Sequence, residues 1–382
     1  MQPIYWDHNA TTPTDPDILA AMQEAQARVF GNPSSAHRVG REARALLDEC
    51  RERVAAVWGC RPVEVVFTAS ATEANNLALF GIARRKAAEG KRHLITSPIE
   101  HPSVRNPLRH LAAHEGFELT ELPVDAQGRV DPETVRAALR PDTALVSVQA
   151  ANNEVGTLQP VSEIGAICRA AGVCFHTDAV QFFGKVSCPG VDALGADLVV
   201  ASAHKIYGPK GCGALFVKSP RPLAPLLLGG RQEGDRRPGT ENLPAILGFT
   251  LAVERFAREP VFAASRLRPL AARLETFLSS LPSVTLLVPD APRLVNTVAF
   301  MVAGCDSLSL VAGLDLAGFC VSSGSACSSG AVQASPVVRA LRPDSSAAAF
   351  VRVSLGREAT PAEVERFERV LPAVINQVKT AE

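Results

Sequence analysis

The sequence VCFHTDAVQFFGKVSCPGVDALGADLVVASAHK, residues 173–205, decides the fold class. It contains two short, mainly apolar runs, 173–177 and 197–201, which have the length of strands and are each followed by polar residues. Strands that are apolar on both faces are typical of a parallel sheet covered by helices. We therefore predict an α/β domain, with Asp178 and Lys205 beyond the carboxyl ends of its strands.

The same alternation continues on both sides of this stretch. Further strands are predicted at 63–68, 93–97, 143–150 and 212–217. Helices are predicted at 72–86, from Pro102 onward and after an Asp131 N-cap with Pro132. The polar residues that follow the apolar runs should gather at one rim of a mainly parallel sheet. They are Ser70, Thr72, Asn153, Asp178, Ser202, His204 and Lys205.

The pattern changes after about residue 256. Strands are predicted at 284–288, 297–302 and 350–355, a helix at 307–316, and a final helix after a capping box at Thr360 and Glu363. We predict a large α/β domain over 15–255. We predict a smaller α+β domain formed by 1–14 and 256–382, which carries the cysteine loop described below.

Composition excludes several classes of protein. The 382 residues contain 39 basic and 39 acidic side chains, which gives no reason to expect nucleic acid or an anionic membrane as partner. A short basic patch at Arg231, Arg236 and Arg237 is interpreted as a local anion site or a solvated face. No signal peptide or apolar membrane span is evident. The nine cysteines are scattered without metal-binding spacing, so we expect free thiols, no metal and a cytoplasmic protein.

Lys205 could form a Schiff base with a carbonyl cofactor if burial or a nearby cation keeps its amine neutral. A single lysine in this position is more often a surface residue, so its neighbours matter. Asp178 could pair with a protonated pyridine nitrogen, and Gln181 could hydrogen-bond the phenolic oxygen of the same ring. The alternative for Asp178 is a helix N-cap.

Thr72 lies in the small-residue run 68–73 between a strand and a helix, where free N–H groups can bind phosphate. Any helix start looks similar, so the motif is weak in isolation. His101 precedes Pro102 and could stack on a cofactor ring, or simply be a histidine at a helix entry.

Cys327 lies in the segment SSGSACSSG, residues 322–330. Small neighbours without apolar periodicity favour an exposed thiol that can act as a nucleophile. The alternative is an incidental loop cysteine. Cys320, in Phe319-Cys-Val, is instead interpreted as a strand thiol in an apolar setting.

Taken together, these segments resemble the cysteine desulfurases of the NifS/IscS type, which are fold-type I enzymes that use pyridoxal 5'-phosphate (PLP). The similarity runs nearly end to end. It is carried by DHNATTP at 7–13, GNPS at 31–34, ATE at 71–73, EH at 100–101, NNEVG at 152–156, Asp178 with Gln181, HKIYGPKG at 204–211, GTEN at 239–242, SSGSAC at 322–327 and RVSLGR at 352–357.

The resemblance implies roles for individual residues. Lys205 would hold PLP covalently, with Asp178 on the pyridine nitrogen, Gln181 on the phenolic oxygen and His101 stacked on the ring. The phosphate would be bound by Ala71, Thr72, Ser202 and His204, and by Thr240 from the second subunit of a homodimer. Arg352 would bind the substrate carboxylate, helped by Asn153, which also lies near the cofactor, and by Asn32.

The implied reaction converts L-cysteine to L-alanine and leaves the sulfur on Cys327 as a persulfide. An acceptor protein would then receive it for iron–sulfur cluster assembly or another thiolation. His101 is a candidate for the base that deprotonates Cys327. Position 70 is Ser where the family usually has Gly, and position 238 is Pro where it usually has Ser. The chain ends soon after the last predicted helix, so docking of a scaffold protein is less certain than desulfuration.

Other reactions on the same fold stay open, because fold does not fix function. They are transamination, selenocysteine cleavage and other C–S bond cleavage. A different class is a hydrolase with a Cys–His pair, or a sulfur-carrying scaffold without catalysis. Neither of those needs Lys205 in a Schiff base.

Overall fold

The structure is a computed structural model that describes residues 3–257, 259–324, 335–343 and 348–379. Its α-helices are α1 (Pro16–Arg28), α2 (Arg38–Trp58), α3 (Ala71–Ala87), α4 (Pro102–His114), α5 (Pro132–Ala138), α6 (Val161–Ala170), α7 (Gln232–Asp235), α8 (Leu243–Phe256), α9 (Ala264–Ser279), α10 (Ser307–Leu316), α11 (Pro336–Leu341) and α12 (Pro361–Val378). Its strands are β1 (Ile4–Tyr5), β2 (Val65–Thr68), β3 (His93–Thr96), β4 (Glu118–Glu121), β5 (Thr143–Ser147), β6 (Cys174–Asp178), β7 (Leu198–Ser202), β8 (Gly213–Val217), β9 (Val284–Leu286), β10 (Thr297–Ala303), β11 (Phe319–Cys320) and β12 (Ala348–Ser354).

The large sheet has the order β2-β8-β7-β6-β5-β3-β4 within the described residues. Strand β8 is antiparallel to β2 and β7, and the other neighbouring pairs are parallel. Every residue of β5, β6 and β7 is buried, because helices cover both faces of the sheet. The predicted α/β fold class with a mainly parallel sheet is therefore confirmed.

Local signals in the sequence explain where several helices begin. Asp131 caps α5 by accepting from the Glu133 N–H at 2.9 Å. Thr360 and Glu363 form the expected capping box at the start of α12. The strand predicted at 143–150 is shorter in the structure, since β5 ends at Ser147. The chain nevertheless continues beside β6, because the Ala150 N–H bonds to the Asp178 carbonyl at 2.9 Å.

The second region contains an antiparallel sheet of order β12-β10-β9, together with the two-stranded pair β1 and β11. The N-terminal arm joins this region, since β1 runs parallel to β11 and Trp6 packs between Phe319 and Phe367, with ring centroids 5.3 Å away in each case. This packing agrees with assigning 1–14 to the smaller domain, but the domain boundaries stay a prediction. None of the helices within the described ranges has the length and apolar character needed to cross a membrane.

Candidate active site

A cavity of about 210 Å³ lies beyond the carboxyl ends of the large sheet. It brings together Ser70 and nine of the residues predicted to bind cofactor or substrate, although they range from residue 70 to residue 352. The nine are Ala71, Thr72, His101, Asn153, Asp178, Gln181, His204, Lys205 and Arg352. The topology gathers them because parallel strands present their carboxyl ends at one edge.

Lys205 enters the cavity from the short 3-10 turn Ala203–Lys205, which directly follows β7. Its Nζ donates to two backbone carbonyls of the N-terminal arm, Asn9 O at 2.7 Å and Ala10 O at 2.6 Å. The half-buried amine is thus placed by two main-chain acceptors. A lysine placed in this way is available to a carbonyl compound in the cavity.

Asp178 is the last residue of β6 and is only 8 % exposed. Its Oδ2 accepts from Asn75 Nδ2 at 2.8 Å, and its Oδ1 accepts from the Val180 N–H at 3.0 Å. Two donors hold the carboxylate in one orientation at the cavity wall. The hydrogen bond from the Val180 N–H belongs to a turn, and no helix begins directly after Asp178. Asp178 is therefore not a helix N-cap, which was the alternative interpretation.

Asn75 links Asp178 to a buried polar network that the sequence reasoning missed. Its Nδ2 also donates to Ser103 Oγ at 2.9 Å, so its Oδ1 is an acceptor and lies 3.1 Å from His176 Nε2. His176 must then carry its proton on Nε2, and its Nδ1 accepts from Ser147 Oγ at 2.8 Å. Burial lowers the pKa of His176 to about 4, so the ring is neutral and supports this arrangement.

His101 caps α4 through its ring, because Nδ1 accepts from the Ser103 N–H at 3.1 Å. Burial lowers the pKa of His101, and the positive charge of Lys205 lowers it further, whereas the carboxylate of Asp178 raises it. The neutral ring therefore holds its proton on Nε2, and that atom is a donor. To remove a proton from the Cys327 thiol, Nε2 would have to be unprotonated, which conflicts with the cap, so this geometry does not favour that role.

The first turn of α3 has free N–H groups of the kind expected to bind phosphate. The N–H groups of Ala71 and Thr72 have no intrahelical acceptor, since they belong to the first turn, and both residues line the cavity. Gly213 of β8 passes so close that a Cβ there would lie 2.9 Å from the Ala71 N atom. Ser70 has φ −167°, an extended conformation that needs no glycine, and its Oγ accepts from the Glu73 N–H at 3.1 Å.

An ion pair connects this turn to the loop that contains Thr240. The Glu73 carboxylate accepts from Arg237 Nε at 2.7 Å, and its Oε2 also accepts from the Ala69 N–H at 2.8 Å. Arg237 of the basic patch is thereby paired with Glu73. Thr240 itself is exposed and borders a separate cavity of the same chain.

Arg352 of β12 is 1 % exposed and forms the opposite wall of the cavity. Its Nη1 donates to the Asn153 carbonyl at 2.9 Å, and its Nη2 donates to the Asp7 carboxylate. Its Nε is buried and has no hydrogen-bond partner among the residues that the structure describes. An unused donor on a buried guanidinium suits recognition of a small carboxylate.

Asn9 is the second site residue that the sequence reasoning did not single out, although it lies in the DHNATTP motif. It is 1 % exposed and lines the cavity. Its Nδ2 donates to Thr297 Oγ1 at 2.9 Å, and its backbone carbonyl accepts from Gln181 Nε2 at 2.9 Å as well as from Lys205. Asn9 therefore joins the N-terminal arm, the large sheet and the smaller sheet at one point.

Four predicted residues are not placed in the cavity. Ser202 is buried at the end of β7 without lining it, and Asn32 is exposed, with its Oδ1 accepting from the Ser34 N–H at 2.9 Å. Thr240 lies elsewhere on the chain, as described above, and Cys327 lies outside the described residues. The assignments of these residues stay predictions. The described segment that leads to Cys327 does reach the site, because Ser322 pairs with the backbone of Arg352.

Cys320 differs from its prediction. It belongs to β11, as expected of a strand thiol, but it is partly exposed and its Sγ lies 3.5 Å from Asp315 Oδ1. The expected apolar setting was therefore wrong. The eight cysteines that the structure describes, Cys320 included, are free thiols, with Cys168 and Cys174 buried as predicted.

Comparison with known proteins bears directly on this site. The model of the aminotransferase class-V family matches residues 4–367. A cysteine desulfurase IscS of Dictyoglomus turgidum is 40% identical over 379 residues, which cover 99% of this chain and 95% of that protein. The chain belongs to the cysteine desulfurase family. The resemblance seen in the sequence is thus confirmed.

Relatives of this cysteine desulfurase family member include a second curated protein and a solved structure. A cysteine desulfurase IscS of Archaeoglobus fulgidus is 41% identical and covers 98% of both chains. The structure of a NifS-like protein superposes with a TM-score of 0.90 at 34% identity, covering 98% of this chain and all of the other. The fold-type I assignment rests on this similarity over nearly the whole length.

The residues of this family member fit PLP, the cofactor that enzymes of its class use in general. Lys205 offers an amine for an aldehyde, Asp178 offers a buried carboxylate for a pyridine nitrogen, and the start of α3 offers N–H groups for a phosphate. The half-buried His101 offers a neutral ring beside them. These are the complementary groups for each polar part of the cofactor, gathered in one cavity.

Proposed function

We propose that this chain is a PLP-dependent cysteine desulfurase that converts L-cysteine to L-alanine and takes the sulfur onto Cys327. The observation that carries the proposal is one cavity lined by Lys205, Asp178, Thr72 and Arg352. A carbonyl-binding amine, a pyridine-binding carboxylate, a phosphate cradle and a carboxylate-binding guanidinium are all within the same space. The family to which the chain belongs supports the same conclusion.

Lys205, Asp178 and the first turn of α3 would hold the cofactor, with Thr72 adding its hydroxyl. Bound PLP supplies a carbonyl carbon for amines and a ring that stabilises negative charge at the substrate Cα. The Asp178 carboxylate is oriented for this purpose by Asn75 and by the Val180 N–H. We propose that Ser202 and His204 bind the phosphate group of the same cofactor. His204 is a neutral donor, since burial and nearby lysines lower its pKa to about 3.

Arg352 orients L-cysteine by its carboxylate. The guanidinium has five N–H donors, and the Asn153 carbonyl and the Asp7 carboxylate hold it through one donor each of Nη1 and Nη2, so donors remain for the substrate. Because these partners fix the plane of the group, little side-chain freedom is lost when the carboxylate binds. Asn32, which does not line the cavity, would help Arg352 to bind the substrate carboxylate.

Lys205 and His101 handle protons. Once its nitrogen is free, the Lys205 amine can take a proton from the substrate Cα and return it, because it is placed at the cavity wall by Asn9 and Ala10. His101 contributes an Nε2–H donor at neutral pH rather than a base.

The sulfur transfer balances without an oxidant. The Cys327 thiolate forms a bond to the sulfur of cysteine, the substrate Cβ–S bond breaks, and the electron pair of that bond ends on Cβ, which is protonated. The products are a persulfide on Cys327 and L-alanine. A second thiolate, on an acceptor protein, can then take the terminal sulfur by the same exchange, and iron–sulfur cluster assembly is the destination we propose.

Mass spectrometry tests this function. The full chain is supplied with PLP and L-cysteine, and we expect one added sulfur on the Cys327 peptide and alanine in solution. Cys327→Ala should lose persulfide but keep the visible absorbance of bound PLP, while Cys320→Ala, the nearest described cysteine, should behave like the parent. Lys205→Ala should lose the absorbance. A colourless protein, or sulfur transfer that survives in Cys327→Ala, would reject the assignment.

Thr240 reaches the cofactor phosphate only if a second subunit presents it, so we propose a homodimer. Mixing a Thr240→Val chain with a Lys205→Ala chain tests this. A mixed dimer keeps one site with an intact Lys205 and an intact Thr240, so activity should recover on mixing. Equal activity before and after mixing would contradict a contribution across subunits.

Retention in the cytoplasmic fraction of producing cells is the test of the predicted location.

A further inference from the structure

The DHNATTP motif at residues 7–13 contains a buried hydroxyl that the proposed reaction does not use. It belongs to Thr12, which is 2 % exposed. Thr12 contacts the backbone of residues 203–207, a segment that contains Lys205 and that we call the lysine turn. Because an unpaired buried hydroxyl costs free energy, the hydrogen bonds of Thr12 show which part of the chain it holds.

The Thr12 hydroxyl is both a donor and an acceptor toward the lysine turn. Its Oγ1 donates to the His204 carbonyl at 3.0 Å and accepts from the Tyr207 N–H at 2.7 Å. The Thr12 N–H donates to the same His204 carbonyl at 2.8 Å. Since Lys205 lies between His204 and Tyr207, one side chain holds the backbone on both sides of the lysine.

Tyr207 has a backbone conformation that needs such support. Its φ is 60°, in the left-handed region that residues other than glycine rarely adopt. An unfavourable φ persists only where the surrounding contacts fix it, and such residues are concentrated at functional sites. Here the Thr12 hydroxyl binds the Tyr207 N–H, and the Asp15 N–H donates to the Tyr207 carbonyl at 2.9 Å. The N-terminal arm therefore fixes the strained residue at both of its peptide groups.

The same arm places the side chain of Lys205. Its Nζ donates to the Asn9 carbonyl at 2.7 Å and to the Ala10 carbonyl at 2.6 Å. The backbone and the amine of Lys205 are thus both held by one short stretch, residues 9–12. An amine reacts with a carbonyl carbon only within a narrow range of distance and direction, and a misplacement of about 1 Å can cost about 10²-fold in rate.

We propose that Thr12 is a positioning residue for Lys205. Its hydroxyl holds the lysine turn in the strained conformation that directs the amine into the cavity. Without the hydroxyl the turn relaxes, and the amine moves relative to the groups that hold the rest of the cofactor. Thr12 does not itself line the cavity, so it acts through Lys205. The inference rests on the proposed function, because that function is what gives Lys205 a carbonyl to meet.

Stopped-flow absorbance tests this role. The full chain, freed of PLP, is mixed with increasing PLP, and the limiting rate at which the visible band of PLP bound to Lys205 appears is measured at saturation, with Lys205→Ala as the blank. Thr12→Val keeps the shape of the side chain but leaves the buried Tyr207 N–H without its acceptor. Its limiting rate should fall by about tenfold. Thr12→Ser, which keeps the hydroxyl, should restore the parent rate.

Thr143→Val is the matched control. Thr143 is 0 % exposed, and its Oγ1 accepts from the Arg140 N–H at 2.8 Å and pairs with His93 Nδ1 at 2.9 Å. It lies at the amino end of β5, whereas the cavity lies beyond the carboxyl ends of the sheet, so its loss should leave the limiting rate unchanged. A rate measured at saturation in folded chain, verified by circular dichroism, is insensitive to a change in stability or affinity alone.

Three results would overturn the inference. They are an unchanged limiting rate in folded Thr12→Val, a rate that Thr12→Ser does not restore, and an equal fall in Thr143→Val. If Thr12→Val does not fold, Thr12→Ala takes its place and must show the same fall.

Hydrogen exchange of the chain without PLP provides a second test. The Tyr207 N–H is bound to a buried hydroxyl, so it should exchange slowly in the parent, as measured by mass spectrometry of a peptide that contains the lysine turn. It should exchange faster in Thr12→Ala. Fast exchange of this amide in the parent would overturn the inference whatever the variants do.

Failure of the inference is distinguishable from failure of the proposed function. If the limiting rate depends on the Thr12 hydroxyl but cysteine gives neither persulfide nor alanine, the inference stands and the desulfurase assignment fails. If persulfide and alanine form while the rate does not depend on that hydroxyl, the assignment stands and the inference fails. If the chain takes up no PLP, the assignment fails, and hydrogen exchange alone decides whether Thr12 holds the lysine turn.

Discussion

Replacing Asn75 by Leu tests the network that orients Asp178. Leucine has a similar shape but no polar atoms, so the Asp178 carboxylate loses the Nδ2 donor at 2.8 Å. A hydrogen bond to a charged group contributes about 1.5–3 kcal/mol. The Nε2–H of His176 also loses its acceptor, and an unsatisfied buried donor costs about 1–3 kcal/mol. The expected decrease in the free energy of unfolding is therefore about 2.5–6 kcal/mol.

Urea denaturation of the full chain without PLP, near neutral pH, measures this free energy. Asn76→Leu is the control, because Asn76 lies on the same helix but is only half-buried, and its Nδ2 bonds the nearby Thr72 carbonyl. We expect the control to lose no more than about 1 kcal/mol. Asn75→Leu should also bind PLP more weakly, since Asp178 is no longer fixed. Equal stability of the two variants would refute the network as a source of stability.

Three further results are expected from the buried groups around the site. Burial raises the pKa of Glu100 to about 8, above its unfolded value, so the stability of the protein falls as the pH rises from about 4.5 to about 8. Glu100→Gln should therefore unfold at a higher temperature than the parent near pH 8, but not near pH 5. The pKa of His176 is lowered to about 4, so the unfolded chain binds more protons than the folded chain between about pH 4 and about pH 6.5. The stability of the protein therefore falls as the pH decreases through that range. His176→Gln should reduce this loss of stability, as measured by urea denaturation. Ser70→Ala removes the N-cap of α3 and should reduce the free energy of unfolding by about 1 kcal/mol, whereas Ser70→Gly should change it by only a few tenths of a kcal/mol. Thermal unfolding that ranks the two variants in the opposite order would contradict the capping role.

Most strands and helix starts were predictable because their signals are local. The apolar run before Asp178, the proline after His101 and the capping box at Thr360 each involve residues within a few positions of one another. Asp178 and Lys205 were expected in the cavity from one topological rule, since the carboxyl ends of parallel strands share an edge. Arg352, which lies on the smaller sheet, was named only through the family resemblance. The prediction for Cys320 failed because Asp315, its polar neighbour, comes from the end of α10.

The roles of Asn75 and Asn9 could not be read from the chain. Asn75 lies within an ordinary helix, and only packing of α3 on the sheet brings it to Asp178, 103 positions later. The only available signal was a polar residue amid apolar neighbours on a buried helix face. Asn9 was visible as part of a motif, but its partners Lys185, Thr297 and Lys205 come from three different regions.

The sequence by itself determined the fold class, the family resemblance and the chemical groups of the site, because apolar periodicity and residue type are properties of short segments. Only the tertiary structure decided which polar atoms meet, which donors are left unused and which amines lie side by side. The reason is physical: burial, hydrogen-bond geometry and charge coupling depend on distances between atoms, and folding sets these distances between residues that are far apart along the chain.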